Sequence, residues 1–226
     1  MRGSVNDRDE DGNLLVDPAN GQLIRAANPE IIGNPNPDFI AAMTNTFSYK
    51  GFRLSALFNW RQGGDIYSYT LQGQLGRGVT RDTENREMNW VIPGVLGDPN
   101  THAPILNSEG EKIPNTIQVE TNDLYFGESF ATNSADEWNI FDGTVIRLQE
   151  VSLGYTLPKS LLDKTPFGTV AVTLTGRNLW YNAPNFPKHS KFDPETSTFG
   201  TSNATGFEYD NVPSVRRFGV NLRFTF

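Results

Sequence analysis

The sequence predicts an all-β chain: a portion of an antiparallel transmembrane β-barrel, about five strands forming an open curved sheet in isolation, with long extracellular loops. Three observations carry this. Apolar and polar residues alternate over several segments of about ten residues, and a strand sends successive side chains to opposite faces. Short and long connections alternate between those segments, as they do in outer-membrane barrels. Aromatic residues collect at the ends of the segments, where a membrane would meet water.

Residues 1–37 are rich in Asp, Asn, Gly and Pro and read as an outer loop with a small hairpin at Asn20-Gly21, closed by the breaker Asn34-Pro35-Asn36-Pro37. Residues 38–61 read as a hairpin. Its first strand sets Met43, Asn45, Phe47 and Tyr49 on one face, Lys50-Gly51 makes the turn, and Phe52, Leu54, Ala56, Phe58 and Trp60 continue the apolar face. Residues 62–143 read as a long outer loop, in which Ile66–Leu75 fits a short helix or a short strand equally well. Such a connection is foreign to a compact soluble domain and ordinary outside a membrane barrel. Residues 144–181 form a second hairpin, with Val151, Leu153 and Tyr155 facing Val170, Val172 and Leu174, and an irregularity at Gln149-Glu150 that suits a bulge. Residues 182–212 are the last outer loop. Residues 213–226 are the closing strand, in which Phe218, Val220, Leu222, Phe224 and Phe226 fall on every second position.

This scheme sorts the remaining residues. Tyr49, Phe52, Tyr155, Phe224 and Phe226 would lie at the periplasmic rim, and Trp60, Trp180 and Tyr181 at the outer rim, as membrane girdles. Arg53, Arg61, Arg177, Arg217 and Arg223 would face the lumen. The same alternation also suits a soluble or secreted β-sandwich that binds carbohydrate, its apolar face buried against a second sheet. A net charge of -7 argues against a nucleic-acid partner, and the absence of cysteine removes disulfides and thiolate metal sites. No run of about 18 apolar residues is present, which excludes a transmembrane helix and leaves barrel strands untouched. The N-terminus has no apolar signal core, so on the membrane reading the chain is expected to be a piece of a longer protein.

Seven stretches carry a family resemblance. Ile32-Gly33-Asn34-Pro35-Asn36-Pro37-Asp38-Phe39 with Tyr49-Lys50-Gly51-Phe52-Arg53-Leu54-Ser55, and then Arg61-Gln62-Gly63-Gly64-Asp65-Ile66-Tyr67, resemble segments of SusC/RagA-type TonB-dependent transporters. Arg147-Leu148-Gln149-Glu150-Val151-Ser152-Leu153-Gly154-Tyr155-Thr156-Leu157-Pro158 and Gly176-Arg177-Asn178-Leu179-Trp180 are similar to two later strands of that family. Asp193-Pro194-Glu195 and the closing Arg216-Arg217-Phe218-Gly219-Val220-Asn221-Leu222 resemble its end. The resemblance implies the C-terminal part of a barrel of about 22 strands whose lumen is plugged. It further implies uptake of large nutrients, oligosaccharides or peptides, with a SusD-like lipoprotein over the outer mouth and TonB engaged through an N-terminal part that this chain does not match. Outer-membrane lipid would be its surroundings, and no enzymatic activity is implied.

Candidate chemistry beyond this is thin. Asp7-x-Asp9-x-Asp11-Gly12 has the opening spacing of a calcium loop, but the closing Glu would fall at Pro18; calcium is the one cofactor the sequence suggests, against a plain acidic loop. His102 and His189 stand alone, and Asp136/Glu137 read as loop charges rather than as an acid–base pair. The loop aromatics Trp90, Tyr125, Trp138, Phe207 and Tyr209, with Phe126 and Phe199, are candidates for stacking on sugar rings, or else for packing within the loops.

Overall fold

The computed structural model describes residues 1–126, 129–131, 134–190, 192–195, 198–199 and 205–226. Five long strands make one antiparallel sheet: β1 (Pro37–Tyr49), β2 (Phe52–Gly63), β3 (Val145–Thr156), β4 (Thr169–Asn182) and β5 (Arg217–Thr225). Their spatial order is β5-β4-β3-β2-β1, so β1 and β5 are edges and the sheet is open. With 9 to 14 residues each, the strands have the length that crosses a bilayer at a tilt.

The register shows what the alternation builds. Phe47, Leu54, Leu153, Leu174 and Val220 stand side by side in one row across all five strands. Every member of that row is at least 42% exposed. The row toward the turns, Tyr49-Phe52-Tyr155-Val172-Leu222, is apolar as well. On the other face the matching rows read Thr46-Ser55-Ser152-Thr175-Gly219 and Ser48-Arg53-Gly154-Thr173-Asn221. A sandwich would bury its apolar row under a second layer. Among the described residues no second sheet covers this one, and an apolar face of five strands is far larger than soluble monomers leave bare. The sheet is a portion of a transmembrane β-barrel.

The core lies elsewhere. Val145 is the single long-strand residue among the buried apolar side chains of the described chain; nearly all the others belong to the connections. Val16, Leu23, Ile92, Val119 and Leu124 form one cluster, against which Leu14, Tyr125, Phe130 and Trp138 pack. Ile66, Leu71, Phe186 and Phe192 form another, backed by Phe141. The described residues of the connections at one end of the sheet thus form an ordered body. Residues 66–75, ambiguous by periodicity, divide into the short strand Asp65–Ser68 and helix α1 (Tyr69–Gly76). That strand is flanked by Ile140–Asp142 and, in parallel, by Phe207–Glu208. The stretch 93–114 contributes Val95–Asp98, which lies between Leu15–Val16 and Ala103–Pro104. At Asn20-Gly21 a tight turn brings Leu23 back against Val16, with Gly21 at φ +73°.

One irregularity crosses three strands. Between Leu57 and Phe58 β2 advances one residue; β3 advances two, from Glu150 to Leu148, and β4 three, from Arg177 to Trp180. The expected bulge is therefore Gln149 on β3, and it is doubled on β4 by Asn178 and Leu179. Asn178 has φ +53°, a conformation asparagine tolerates better than most residues. Leu179 folds over Gly176, whose missing Cβ leaves it room: an added Cβ would stand 2.8 Å from the leucine's Cδ2.

The β1–β2 turn needs Lys50 and Gly51 both at positive φ, +44° and +87°, the pattern of a primed hairpin turn. A Cβ on Gly51 would lie 2.8 Å from the Thr156 carbonyl oxygen. Gly51→Ala is expected to cost about 1–2 kcal/mol from backbone strain alone. Thermal unfolding of the detergent-extracted protein checks it; an unchanged midpoint would refute the turn geometry.

Candidate functional site

The loop body meets the polar face of the sheet through Arg147. Its position on β3 opposes Asn59 of β2 and Tyr181 of β4, all on the polar face. Only 3% of the Arg147 side chain is exposed. Its guanidinium pairs with Asp193 through Nη2 and with Glu195 through Nε at 2.7 Å, and it lies 5.4 Å from the Tyr181 ring centroid. The segment carrying Asp193-Pro194-Glu195 is thereby fastened onto the strands. Tyr181, expected in the outer girdle, instead lies beneath this guanidinium, because the doubled bulge sets the facing of the residues beyond it.

A second clamp is Glu208, which has no exposed surface. Its carboxylate accepts hydrogen bonds from the Ser68 hydroxyl (2.8 Å), the Thr70 hydroxyl (2.5 Å), and the amides of Thr70 (3.2 Å) and Asn211 (2.9 Å). Ser68 caps α1, so the carboxylate sits where the helix presents its free N–H groups and positive dipole end. On either side of it, Phe207 and Tyr209 join Tyr67 and Tyr69 in a ladder of rings. Centroid separations are 5.6 Å for Tyr69–Tyr209, 5.8 Å for Tyr67–Tyr209 and 6.1 Å for Tyr67–Phe207, and Phe199 meets Tyr209 edge-on at 6.2 Å. Burial first, and then the charge of Asp136, pushes the Tyr67 hydroxyl up to about 12, so it stays neutral at physiological pH.

Of the seven loop aromatics singled out from the sequence, Phe199, Phe207 and Tyr209 come together in this ladder. Trp90, on the strand pair Asn89–Val91 and Gln118–Glu120, donates to the Thr121 hydroxyl (2.8 Å). Tyr125 and Trp138 pack onto the larger cluster, and the Trp138 indole donates to Asn6 (2.6 Å). Asp136 and Glu137 bind Ser4, Asn6 and Arg8, so they tie the first residues to the loop body.

In the candidate calcium loop the carboxylates already have side-chain partners. Asp7 turns to His102, whereas Asp9 (2.9 Å), Glu10 (2.8 Å) and Asp11 (2.6 Å) converge on the ammonium of Lys112. The cation of this loop is a side chain, a partner 101 residues from Asp11 that the local motif could not reveal. Among the described residues no group of three His, Cys, Asp or Glu is placed to hold a metal ion. Burial pushes the Asp9 carboxyl up, but hydrogen bonds from Asn13, Lys112 and the amides of Asn13 and Asp11 outweigh it and hold the group well below the usual carboxylate range. A depressed carboxyl stabilises the fold above its unfolded range and loses that effect only as pH falls through the folded value. Protection of the Asp11 and Asn13 amides, which donate to Asp9, is therefore expected to persist at pH 4. In Lys112→Met their loss should begin at higher pH. Amide hydrogen exchange checks this; identical profiles for the two proteins would contradict it.

The arginines expected in the lumen all lie on the long strands. Arg177 pairs with Glu150 at 2.8 Å and opposes Arg217, while Arg53 and Arg223 lie on the polar face toward the turns. Arg61 reaches the carbonyls of Gly64 (3.3 Å) and Pro35 (3.4 Å) and lines a cavity of about 240 Å³ with Glu195 and Phe207. The residues expected in the girdles make ring pairs at both strand ends. Phe52 meets Tyr155 at 4.4 Å, Phe224 and Phe226 flank Phe167 at 5.5 and 5.3 Å, and Trp60 packs edge-on against Phe39 at 4.9 Å. Tyr49 carries Lys50 over its ring at 5.2 Å, and Trp180 is 49% exposed beside Leu148.

Sheet and faces together define a piece of a transmembrane barrel with its connections folded over one end. Known proteins agree. The chain is 29% identical over 225 residues to TonB-dependent receptor P3 of Formosa agariphila, matching 96% of this chain and 19% of that receptor. It is 26% identical over 216 residues to TonB-dependent receptor P26 of the same organism, matching 90% of this chain and 18% of the receptor. The chain thus spans about a fifth of the length of the curated relatives it matches. Its whole length superposes on part of the RagAB peptide importer in the closed-closed state, with TM-score 0.54, 18% identity and 23% of that chain covered. The open-open state gives TM-score 0.52, 17% identity and 22% covered. No family model matches. The resemblance to SusC/RagA-type TonB-dependent transporters read from the sequence holds across the chain.

Proposed function

We propose that the chain is the C-terminal barrel portion of a TonB-dependent outer-membrane transporter that imports large nutrients, oligosaccharides or peptides, with a SusD-like lipoprotein. The observation that carries this is the bare apolar row Phe47-Leu54-Leu153-Leu174-Val220, which only lipid would cover, on a chain similar throughout to TonB-dependent receptors. On this reading Lys50-Gly51 and residues 157–168 lie at the periplasmic side. The connections 1–36, 64–144 and 183–216 form the extracellular end, where the lipoprotein docks and substrate enters. The polar face with Arg53, Arg61, Arg177, Arg217 and Arg223 lines the lumen. Coupling to TonB belongs to parts of the longer relatives that this chain does not span. The test is fractionation of cells expressing the full-length protein. Recovery in the outer membrane, released only by detergent and co-purifying with a lipoprotein, is the expected result. Recovery in the aqueous fraction would sink the proposal.

A further inference from the structure

We propose that the cavity between α1, the bulge of β4 and the approach to β5 is a binding subsite for the carboxylate-bearing end of a peptide. This rests on the transporter reading and narrows its substrate to peptide at this site. The cavity holds about 290 Å³. Two of its lining side chains, Gln74 and Asn211, each carry a polar atom with no hydrogen-bond partner among the described residues: the Gln74 Oε1 acceptor and the Asn211 Nδ2 donor. Buried polar atoms without partners are unfavourable and call for an explanation. The terminal torsions of Gln and Asn are broad, so a small turn of either amide presents its unused atom to a guest.

What the two amides ask for is one donor and one acceptor, which is what a peptide group offers. Their positions are fixed by Glu208, which holds the first turn of the helix carrying Gln74 and also accepts from the Asn211 amide (2.9 Å). The Thr198 hydroxyl donates to Asn211 Oδ1 at 3.3 Å, which leaves Nδ2 as the unused end. Asn178, at the bulge, spends its own amide on the Val215 carbonyl (3.3 Å) and so shapes the wall without competing. The charge in the site is positive. Arg216 lines the cavity with no ion pair among the described residues, whereas the one lining carboxylate, Asp193, is bound to Arg147. A C-terminal carboxylate meeting Arg216, its preceding amide N–H donating to Gln74 and its carbonyl accepting from Asn211 would satisfy all three. A sugar ring fits less well, because both lining aromatics are engaged: Tyr181 with the Arg147 guanidinium, and Phe192 stacked on Phe186 at 5.1 Å.

The test uses the full-length protein in detergent, a randomised pentapeptide pool with free C-terminal carboxylates, the same pool amidated, and an oligouronate as the carboxylated glycan. Retained ligand is measured by mass spectrometry. The free-acid pool should be retained over the amidated one by about tenfold, the effect of one charge-assisted pair. Arg216→Gln should abolish that preference, and Gln74→Leu/Asn211→Leu should reduce retention of both pools, with all variants recovered from the outer membrane like the parent. Equal retention of the two pools, or a preference that survives Arg216→Gln, overturns the proposal; so does retention of the oligouronate alone. A protein that needs detergent yet retains no peptide refutes this site and leaves the transporter reading standing, whereas a water-soluble protein refutes that reading itself.

Discussion

Arg147→Met is expected to release the segment around Asp193 from the sheet, at a cost of about 3–5 kcal/mol, because it strands a buried carboxylate. Both partners are almost wholly enclosed, with side-chain exposures of 3% and 4%, so neither can turn to water without opening the structure. Glu195, at 38% exposure, can. The loss should therefore appear at Asp193 and in the segment that carries it, not across the barrel. Limited proteolysis of intact outer-membrane vesicles reads it: where cleavage follows local opening, even 3 kcal/mol accelerates it more than about a hundredfold. The double variant Arg147→Met/Asp193→Leu should recover much of the protection, since an apolar pair of similar volume often replaces a buried ion pair at little cost. A single variant as resistant as the parent would show that the clamp does not hold the segment.

Val220→Arg and Asn221→Arg are neighbours on β5, both exposed, and should behave in opposite ways. In water each would be close to neutral, as exposed substitutions usually are. On a barrel, Val220 meets lipid and Asn221 the lumen, so arginine at 220 is expected to cost about 2–4 kcal/mol if it lies near the bilayer midplane, and arginine at 221 little. The readout is the fraction of full-length protein that reaches the folded form, seen as heat-modifiable mobility in gel electrophoresis. Similar yields for the two variants would remove lipid from the apolar face.

The strands were legible because each carries its own signal: period-two alternation from Phe52 to Trp60 and from Phe218 to Phe226 needs no partner to be recognised. The loops were not, because what orders them is distant in sequence. Lys112 answers carboxylates at 9, 10 and 11, Glu208 caps a helix that begins at Tyr69, and Asp136 holds Ser4. Composition reads such stretches as polar connection. Of the candidate site, Phe207 and Tyr209 are visible as aromatics, but nothing near Glu208 in the sequence points to its partners at Ser68 and Thr70, and Tyr67 and Tyr69 lie in a segment whose period fits a helix or a strand equally well. Arg147 offered the clearest missed signal. An arginine in a strand and the acidic pair Asp193/Glu195 in a polar loop are a complementary set, found only by asking where a charge on the strand would be answered.

The irregularity running through Gln149 and Asn178-Leu179 bears on the shape of the closed barrel. In such a barrel the stagger between neighbouring strands fixes their inclination to the axis. Toward the turns, Leu57 is level with Arg177; toward the loops, Phe58 is level with Trp180. Over this one step β4 therefore carries two residues more than β2, and the bulge takes them up. A bulge bends its strand and raises the local twist, so the wall changes direction along this line.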